Sequence, residues 1–215
     1  MAKEEKKKSK ASGGNGNTGA VMVVGAGIAG IQAALDLAKA GLYVHLVESK
    51  PAIGGIMAQL DKTFPTNDCS MCIISPKLVE CGRHYNIEIH TLTEVKEISG
   101  GPGNFQVKLE KQPRYVDMSK CTGCSDCTKV CPVAMPNDFN AGLGDWTAIY
   151  RLYPQAIPSA FGIKKLDRAP CVQACPANLS AQGYVQLIKA GKFKIVPGIN
   201  YGITKDIEED EDDGY

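Results

Sequence analysis

The chain has 215 residues, with 24 basic side chains, 23 acidic side chains and nine cysteines. Its apolar runs are far shorter than the ~18 residues that cross a bilayer, and residues 1–18 lack the apolar segment of a signal peptide, so we expect a cytoplasmic protein without a membrane span. Nine cysteines in such a chain indicate metal or redox chemistry and not a disulfide scaffold.

The two ends carry opposite charge. Residues 3–10 have a net charge of +3 and residues 205–215 a net charge of −6, which leaves +4 on the rest of the chain. That charge is too small to indicate nucleic-acid binding. We expect residues 1–18 to be a disordered basic leader and residues 198–215 to be a disordered acidic tail, with a docking role for the tails as the alternative.

The first ordered elements are predicted to be a strand, a helix and a second strand. Ala20–Val24 is a short β-branched run, and Ile28–Ala40 has apolar residues at helical spacing. Gly41 stands where a glycine ends a helix, and Leu42–Val47 is again apolar. This order predicts a Rossmann-like βαβ unit with parallel strands.

A glycine fingerprint lies at the turn between the first strand and the helix. Gly25, Gly27 and Gly30 form G-x-G-x-x-G, in which the glycines permit the tight turn, the approach of a pyrophosphate and close packing of helix on strand. Glu48 ends the second strand, where an acid binds a ribose hydroxyl and disfavours a 2′-phosphate. The pattern predicts a dinucleotide site, against the alternative of a tightly packed turn, and leaves FAD or NAD open.

The segment after this unit contains further predicted elements. Ile56–Leu60 is predicted to be helical after Gly54 and Gly55, and Pro76–Cys81 to be a one-turn helix capped by Ser75 and ended by Gly82. The sequence SGGPGN between two alternating runs predicts an antiparallel excursion. The predicted strands here are Asn86–His90, Glu94–Ile98 and Phe105–Leu109.

The most specific pattern is a run of four cysteines followed by proline. Cys121, Cys124, Cys127 and Cys131 have the spacing C-x₂-C-x₂-C-x₃-C-P, which is that of bacterial ferredoxins. In ferredoxins with two clusters the fourth cysteine binds the other cluster. Tetrahedral zinc is the alternative, although zinc sites usually have two separated cysteine pairs. The run predicts a [4Fe–4S] cluster.

The other five cysteines form two less regular groups. Cys171 and Cys175 precede Pro176 as C-x₃-C-P and are predicted to bind a second cluster, with a pair of buried thiols as the alternative. Cys69, Cys72 and Cys81 are predicted to bind a cluster that needs an external ligand. A redox-active dithiol and a structural role are the alternatives for this group. The chain therefore predicts one to three clusters.

Two further expectations concern the histidines and the last helix. His45 and His90 lie in strand patterns and are interpreted as packed or edge residues, while His84 is a marginal ligand candidate. Leu179–Gly191 is predicted to be a helix with Ser180 as its cap.

With these residues in place, the chain resembles the family of A-type heterodisulfide reductase subunits, which carry FAD and iron–sulfur clusters, over about residues 20–195. The resemblance is carried by TNDCSMCIISPKLVECGRH (66–84), VDMSKCTGCSDCTKVCPV (116–133) and DFNAGLGDWTAIYRLYPQAIPSA (138–160). Residues 169–193 are instead similar to the iron–sulfur region of glutamate synthase small subunits. Proteins of this kind are longer, and the chain stops after the first FAD half.

The resemblance implies cofactors, activity and partners. It favours FAD over NAD and adds Gly54 and Gly55 as FAD contacts. It implies an electron-transfer subunit of an anaerobic oxidoreductase complex that passes electrons between FAD and [4Fe–4S] clusters, with flavin-based bifurcation as an option. The implied partners are other redox subunits, a chain that completes the flavoprotein, and a ferredoxin-type donor or acceptor. The alternative is a non-catalytic iron–sulfur carrier or assembly module with an empty dinucleotide fold.

These expectations divide the chain into five parts. The predicted parts are the leader 1–18, the first half of an FAD-binding Rossmann-like domain at 19–115, a ferredoxin-type region at 116–165, a second cysteine-containing helical segment at 166–197, and the tail 198–215. The predicted fold class is α/β, with the partial Rossmann-like domain followed by the cysteine-rich region.

Overall fold

The computed structural model describes residues 19–165, 170–177 and 179–189. The leader and the acidic tail predicted from the sequence lie outside the described residues. The chain divides into two compact units, one up to Lys164 and one from Lys165 onward. No helix in the described ranges is long and apolar enough to cross a membrane.

The first unit begins with a parallel three-stranded sheet. Its strands are β1 (Ala20–Val24), β2 (Tyr43–Val47) and β3 (Ile87–His90), in the order β1–β2–β3. Val44 and Leu46 of β2 are fully buried, because this face of the sheet packs into the hydrophobic core. Among the described strands only β2 pairs with β1, so the other edge of β1 is open.

Helix α1 (Ile28–Lys39) connects β1 to β2 and covers the core face of the sheet. Its buried residues are Ile31, Ala34, Leu35 and Ala38, which recur every three or four positions and so form one helical face. Gly41 follows the helix with φ of +89°, a conformation that glycine adopts without steric cost. The predicted βαβ unit is confirmed, with β2 starting one residue later than expected.

Helix α2 (Ser70–Arg83) corrects one prediction. Residues 76–81 were predicted to be a one-turn helix that starts at Pro76, whereas Pro76 lies inside a helix of 14 residues. The loss of the hydrogen bond to the Cys72 carbonyl is tolerated because Ile74, Leu78 and Cys81 bury one face of α2 in the core. The short helix predicted after Gly54–Gly55 is a 3₁₀ helix at Gly55–Gln59.

An antiparallel hairpin of β4 (Thr93–Gly101) and β5 (Asn104–Lys111) follows β3, as predicted from SGGPGN, and is longer than expected. Most of its side chains are exposed, including the large apolar residues Ile98 and Phe105. The hairpin therefore leaves apolar surface without a covering element in the described part of the chain.

The cysteine run and its surroundings consist of short elements. They are α3 (Asp126–Val130), β6 (Ala134–Pro136), a 3₁₀ turn at Asp138–Asn140, β7 (Asp145–Thr147), β8 (Ile149–Tyr150) and β9 (Gly162–Ile163). β6 pairs with β7 and β8 with β9, both antiparallel. Tyr153 and Ala156 belong to the same hydrophobic core as α1 and α2, so this region and the parallel sheet form one unit.

The second unit contains α4 (Pro170–Gln173) and α5 (Ala181–Lys189). The helix predicted over Leu179–Gly191 is present as α5, which begins at Ala181, two residues later than predicted; Ala190 and Gly191 lie outside the described residues. The Cys171 thiol lies 3.3 Å from the Gln182 side-chain oxygen, to which it donates.

Candidate functional site

The turn between β1 and α1 has the geometry of a phosphate-binding loop. Gly25 has φ of +92°, and its N–H donates to the Val47 carbonyl at 2.8 Å. A Cβ on Gly30 would lie 1.9 Å from the Gly25 carbonyl oxygen. Helix and strand can therefore approach this closely only because residue 30 has no side chain.

The middle glycine of the fingerprint faces open space. A Cβ built on Gly27 meets no protein atom within 4 Å, and the φ of −73° at Gly27 would suit any residue. Neither space nor backbone conformation within the protein therefore requires a glycine here. Gly27 precedes the first turn of α1, and no side chain in the described part of the chain caps that helix. The N–H groups of the first turn are thus left for an anionic group, and the space beside Gly27 admits it.

The Gly-Gly pair of the next loop lies against this turn. The Gly54 N–H donates to the Ala26 carbonyl at 2.7 Å, and a Cβ on Gly55 would lie 2.8 Å from the Gly27 Cα. Both glycines have positive φ, +128° and +58°. The structure thus brings together the five glycines that were predicted to contact the cofactor.

Glu48 is buried beside the same turn, with 8% of its surface exposed. One carboxylate oxygen accepts the Ala26 N–H at 2.8 Å, and the other accepts the Lys50 N–H at 3.0 Å and lies 3.3 Å from the Ser49 hydroxyl. A carboxylate has about four acceptor positions, so these bonds orient it and leave capacity for a ribose hydroxyl. The residues present fit the adenosine and pyrophosphate part of FAD.

The ferredoxin-type cysteine run includes the short helix α3 and the loops on either side of it. Cys121 precedes the helix, Cys124 lies in the loop before it, Cys127 is within it and Cys131 follows its last residue. Gly123 and Ser125 have φ of +73° and +68°, which turn the chain sharply on both sides of Cys124. Cys124 is exposed and the other three are partly exposed. All four thiols are therefore accessible to a cluster on a compact loop.

The zinc and the iron–sulfur hypotheses require different distances between the four sulfurs. A tetrahedral zinc ion with Zn–S bonds of about 2.3 Å holds its sulfurs about 3.8 Å apart, whereas a four-iron cubane binds each thiolate through a different iron atom. Within the described ranges no three cysteine sulfurs lie within 4.8 Å of one another. Backbone hydrogen bonds, chiefly at Ile149, lower the pKa of the Cys131 thiol, which favours the ligating thiolate.

The structure separates the group of Cys69, Cys72 and Cys81. Cys69 caps the N-terminus of α2 and its sulfur accepts the Cys72 N–H at 3.3 Å. Cys81 is nine residues after Cys72 in the same helix, which corresponds to a rise of about 13 Å. It is fully buried, and burial raises the pKa of its thiol to about 11. Helix geometry therefore does not support one cluster bound by all three.

Cys69 and Cys72 remain a pair at one helix end. The hydrogen bond between the two side chains lowers the pKa of Cys69 and raises the pKa of Cys72. Cys69 therefore loses its proton before Cys72 does. Both the cluster and the dithiol hypothesis need a thiolate, and this geometry does not decide between them. Cys171 and Cys175 lie in the second unit, the first exposed and the second partly exposed.

Two residues that join the nucleotide loop to the cysteine region were missed by sequence reasoning. The Tyr153 hydroxyl donates to the Ile53 carbonyl, and its oxygen would lie 2.5 Å from a Cβ on Gly54. The guanidinium of Arg114 donates to the carbonyl of Pro51 at 2.6 Å, to the Thr91 hydroxyl at 2.8 Å, and to the carbonyl of Ala160 at 3.1 Å. These contacts hold the loop after β2 and the segment after β8 in one arrangement. No local spacing assigns either residue this role, because their partners are 23 to 100 positions away.

Two family models match separate parts of the chain, one containing the nucleotide loop and the other the cysteine run. A family of FAD dependent oxidoreductases matches residues 20–69, and a 4Fe-4S binding domain matches residues 114–136. The predicted fold class and the predicted cofactors, FAD and a [4Fe–4S] cluster, are confirmed at the level of these families. Among solved structures, L-proline dehydrogenase from P. horikoshii is 26% identical, with a TM-score of 0.37 over 45% of this chain and 20% of its own.

Two curated relatives show extensive identity. The second A-type iron-sulfur subunit of CoB–CoM heterodisulfide reductase from Methanopyrus kandleri is 58% identical over 146 residues, which are 68% of this chain and 22% of that protein. The A-type subunit of H(2):CoB-CoM heterodisulfide,ferredoxin reductase from Methanothermobacter marburgensis is 56% identical over 157 residues, which are 72% of this chain and 24% of that protein. The chain thus spans less than a quarter of the length of these relatives.

Proposed function

Because the chain belongs to the family of A-type heterodisulfide reductase subunits over the matched residues, we propose that it is part of an electron-transfer subunit of an anaerobic oxidoreductase complex. In this proposal it passes electrons between FAD and [4Fe–4S] clusters. One observation carries the proposal: the dinucleotide loop and the ferredoxin-type cysteine run share one compact unit, in which Tyr153 and Arg114 connect them. FAD, when bound, supplies a centre that takes an electron pair and releases single electrons.

The proposed cofactor contacts follow from the turn geometry. The N–H groups at the start of α1 bind the pyrophosphate, and Gly27 leaves the space that it needs. Glu48 binds the ribose. Gly54 and Gly55 allow the backbone of the second loop to approach the same ligand.

The proposed cluster ligands are the cysteines around α3. Cys121, Cys124 and Cys127 bind one [4Fe–4S] cluster, with Cys131 as the fourth ligand or as a ligand of a neighbouring cluster. Cys171 and Cys175 are proposed ligands of a further cluster. Cys69 and Cys72 are proposed either to bind a cluster completed from outside or to act as a dithiol. Flavin-based bifurcation, in which the two electrons of the flavin go to different acceptors, remains a prediction.

A second set of observations supports the proposal that other segments or proteins contact this part of the chain. The outer edge of β1 is unpaired among the described strands, and Val24 at its end is 61% exposed. The exposed apolar side chains of the β4–β5 hairpin also lack a covering element in the described ranges. Open strand edges and apolar patches of this kind are normally covered. We propose that a further segment or a partner protein extends the sheet at β1, and that the complex is cytoplasmic, where thiols stay reduced.

The test is an anaerobic preparation of the chain with and without its partner subunits, analysed for flavin, iron, sulfide and zinc. The proposal predicts at least four iron and four sulfide per chain, FAD in the complex, and a loss of about four iron in Cys124→Ser. Flavin-free complex with its full iron content would instead support a non-catalytic carrier with an empty dinucleotide fold. Stoichiometric zinc in place of iron would contradict both the electron-transfer subunit and the non-catalytic iron–sulfur carrier.

A further inference from the structure

Two histidines and a glutamate, residue types that commonly bind metals, form a cluster on the parallel sheet that contains no cysteine. His45 of β2 is the register partner of Glu88 of β3, and His90 is two residues further along β3. Alternate residues of a strand face the same side, so the three side chains project from one face of two hydrogen-bonded strands. This is the face opposite Val44 and Leu46, whose side chains are buried in the core.

The donor atoms of the three side chains converge. His45 Nδ1 lies 3.2 Å from His90 Nε2 and 3.5 Å from a Glu88 carboxylate oxygen, which is 3.8 Å from His90 Nε2. Bonds of 2.0–2.1 Å to a tetrahedral zinc ion place donor atoms about 3.3–3.4 Å apart. The three separations lie around this value without any rearrangement of the backbone.

The surroundings suit a held but accessible ion. The Tyr43 hydroxyl donates to the same Glu88 oxygen at 3.2 Å and so orients the carboxylate. The side chains of His45, His90 and Glu88 are 31%, 23% and 44% exposed, which leaves a side open for a water molecule. Two imidazoles and one carboxylate favour zinc over magnesium or calcium, which prefer oxygen ligands alone.

We propose that His45, Glu88 and His90 form a Zn²⁺ site with an open fourth position. The site is independent of the proposed iron–sulfur and flavin chemistry, since it uses neither a cysteine nor a residue of the nucleotide loop. Sequence reasoning interpreted both histidines as packed or edge residues, because 45 positions separate them in the chain and the parallel pairing of β2 and β3 brings them together.

The experiment titrates the full chain, with its iron–sulfur clusters loaded anaerobically, with Zn²⁺. Zinc per chain is measured after removal of the free ion, and X-ray absorption reports the ligand atoms. The expected result is one zinc with nitrogen and oxygen neighbours at about 2.0 Å, imidazole outer-shell scattering and no sulfur at about 2.3 Å. His45→Asn and His90→Asn are expected to weaken binding by about 100-fold or more, because each removes a direct ligand.

His84 provides the matched control, since it is the one histidine of the chain besides His45 and His90 and does not belong to the cluster. His84→Asn is expected to bind zinc like the unmodified chain. The ligand atoms that X-ray absorption detects around zinc in the unmodified chain test the proposal without any variant. Three results would each overturn the site: no zinc uptake, a sulfur atom among the ligands of the bound zinc, or His45→Asn and His90→Asn variants that bind zinc as tightly as the unmodified chain.

Discussion

The nucleotide loop and the cysteine run are built in opposite ways. Around Gly25, Gly27 and Gly30 the backbone is held by the paired strands β1 and β2, a 12-residue helix and the carboxylate of Glu48. Around Cys124 the chain consists of a five-residue helix and short turns, and no residue of that helix is buried. The first region is shaped by its own packing before any ligand binds. The second exposes its ligands on a loop with little core.

This difference indicates where each cofactor contributes to folding. A preformed loop needs only to leave room for the pyrophosphate, so substitutions there act through steric fit. A cysteine loop gains much of its order from the metal centre that its thiolates bind. Variants in the two regions should therefore separate into those that change the fold and those that change only cofactor content.

The largest expected effect is at Gly30. Gly30→Ala places a Cβ 1.9 Å from the Gly25 carbonyl oxygen, which is backbone and cannot move aside without displacing α1 from β1. We expect a loss of about 4 kcal/mol or more in the free energy of unfolding, as for other severe steric conflicts. Urea denaturation of the cluster-free chain measures it.

Gly27→Ala is the matched control for this variant. Its Cβ meets no protein atom within 4 Å and its φ of −73° suits alanine. We expect stability to change by less than about 0.5 kcal/mol, while FAD content of the complex falls. Equal stability of the two variants would show that the loop is not preformed.

The next effect concerns the contacts that join the two regions. Arg114→Met removes the donors to Pro51, Thr91 and Ala160 and leaves partly buried acceptors without partners. We expect a loss of about 3 kcal/mol in the free energy of unfolding. Lys120→Met is the control, because the Lys120 side chain is 83% exposed and lies 3.9 Å from the Asp117 carboxylate. A loss no greater than that of the control would contradict the joining role.

The comparison also explains what could be predicted from sequence. β1 was predicted with its observed bounds and the end of α1 to within one residue. Both predictions succeeded because the apolar periodicity and Gly41 are local signals. The glycine fingerprint and the cysteine run are likewise local patterns. In each case the chemistry depends on spacing over a few residues.

The remaining features depend on tertiary contacts. The proline rule predicted a helix start at Pro76, and burial of Leu78 and Cys81 overrode it. The Tyr153 contact with Ile53 joins positions 100 residues apart, and the pairing of His45 with Glu88 depends on the register of two strands. No local spacing encodes such contacts.

A smaller effect is expected at Tyr153. Tyr153→Phe removes the hydroxyl that donates to the Ile53 carbonyl but keeps the ring stacked on Phe139, at 5.4 Å between centroids. We expect a loss of about 1.5 kcal/mol in the free energy of unfolding, the cost of one buried acceptor without a partner. Tyr85→Phe, at an exposed tyrosine, controls for the substitution itself and should leave stability unchanged.

The smallest effect on the fold is expected where the effect on iron is largest. The Cys124 side chain is exposed and belongs to no core cluster, so Cys124→Ser should leave the urea midpoint of the cluster-free chain unchanged while the loaded chain loses a cluster. Cys81→Ala is the opposite case, because that thiol is buried in the core. Its loss should lower the midpoint and leave iron content unchanged. If both variants lowered the midpoint of the cluster-free chain equally, the cysteine run would have a packed structure of its own, and the contrast between a preformed loop and a metal-ordered one would not hold.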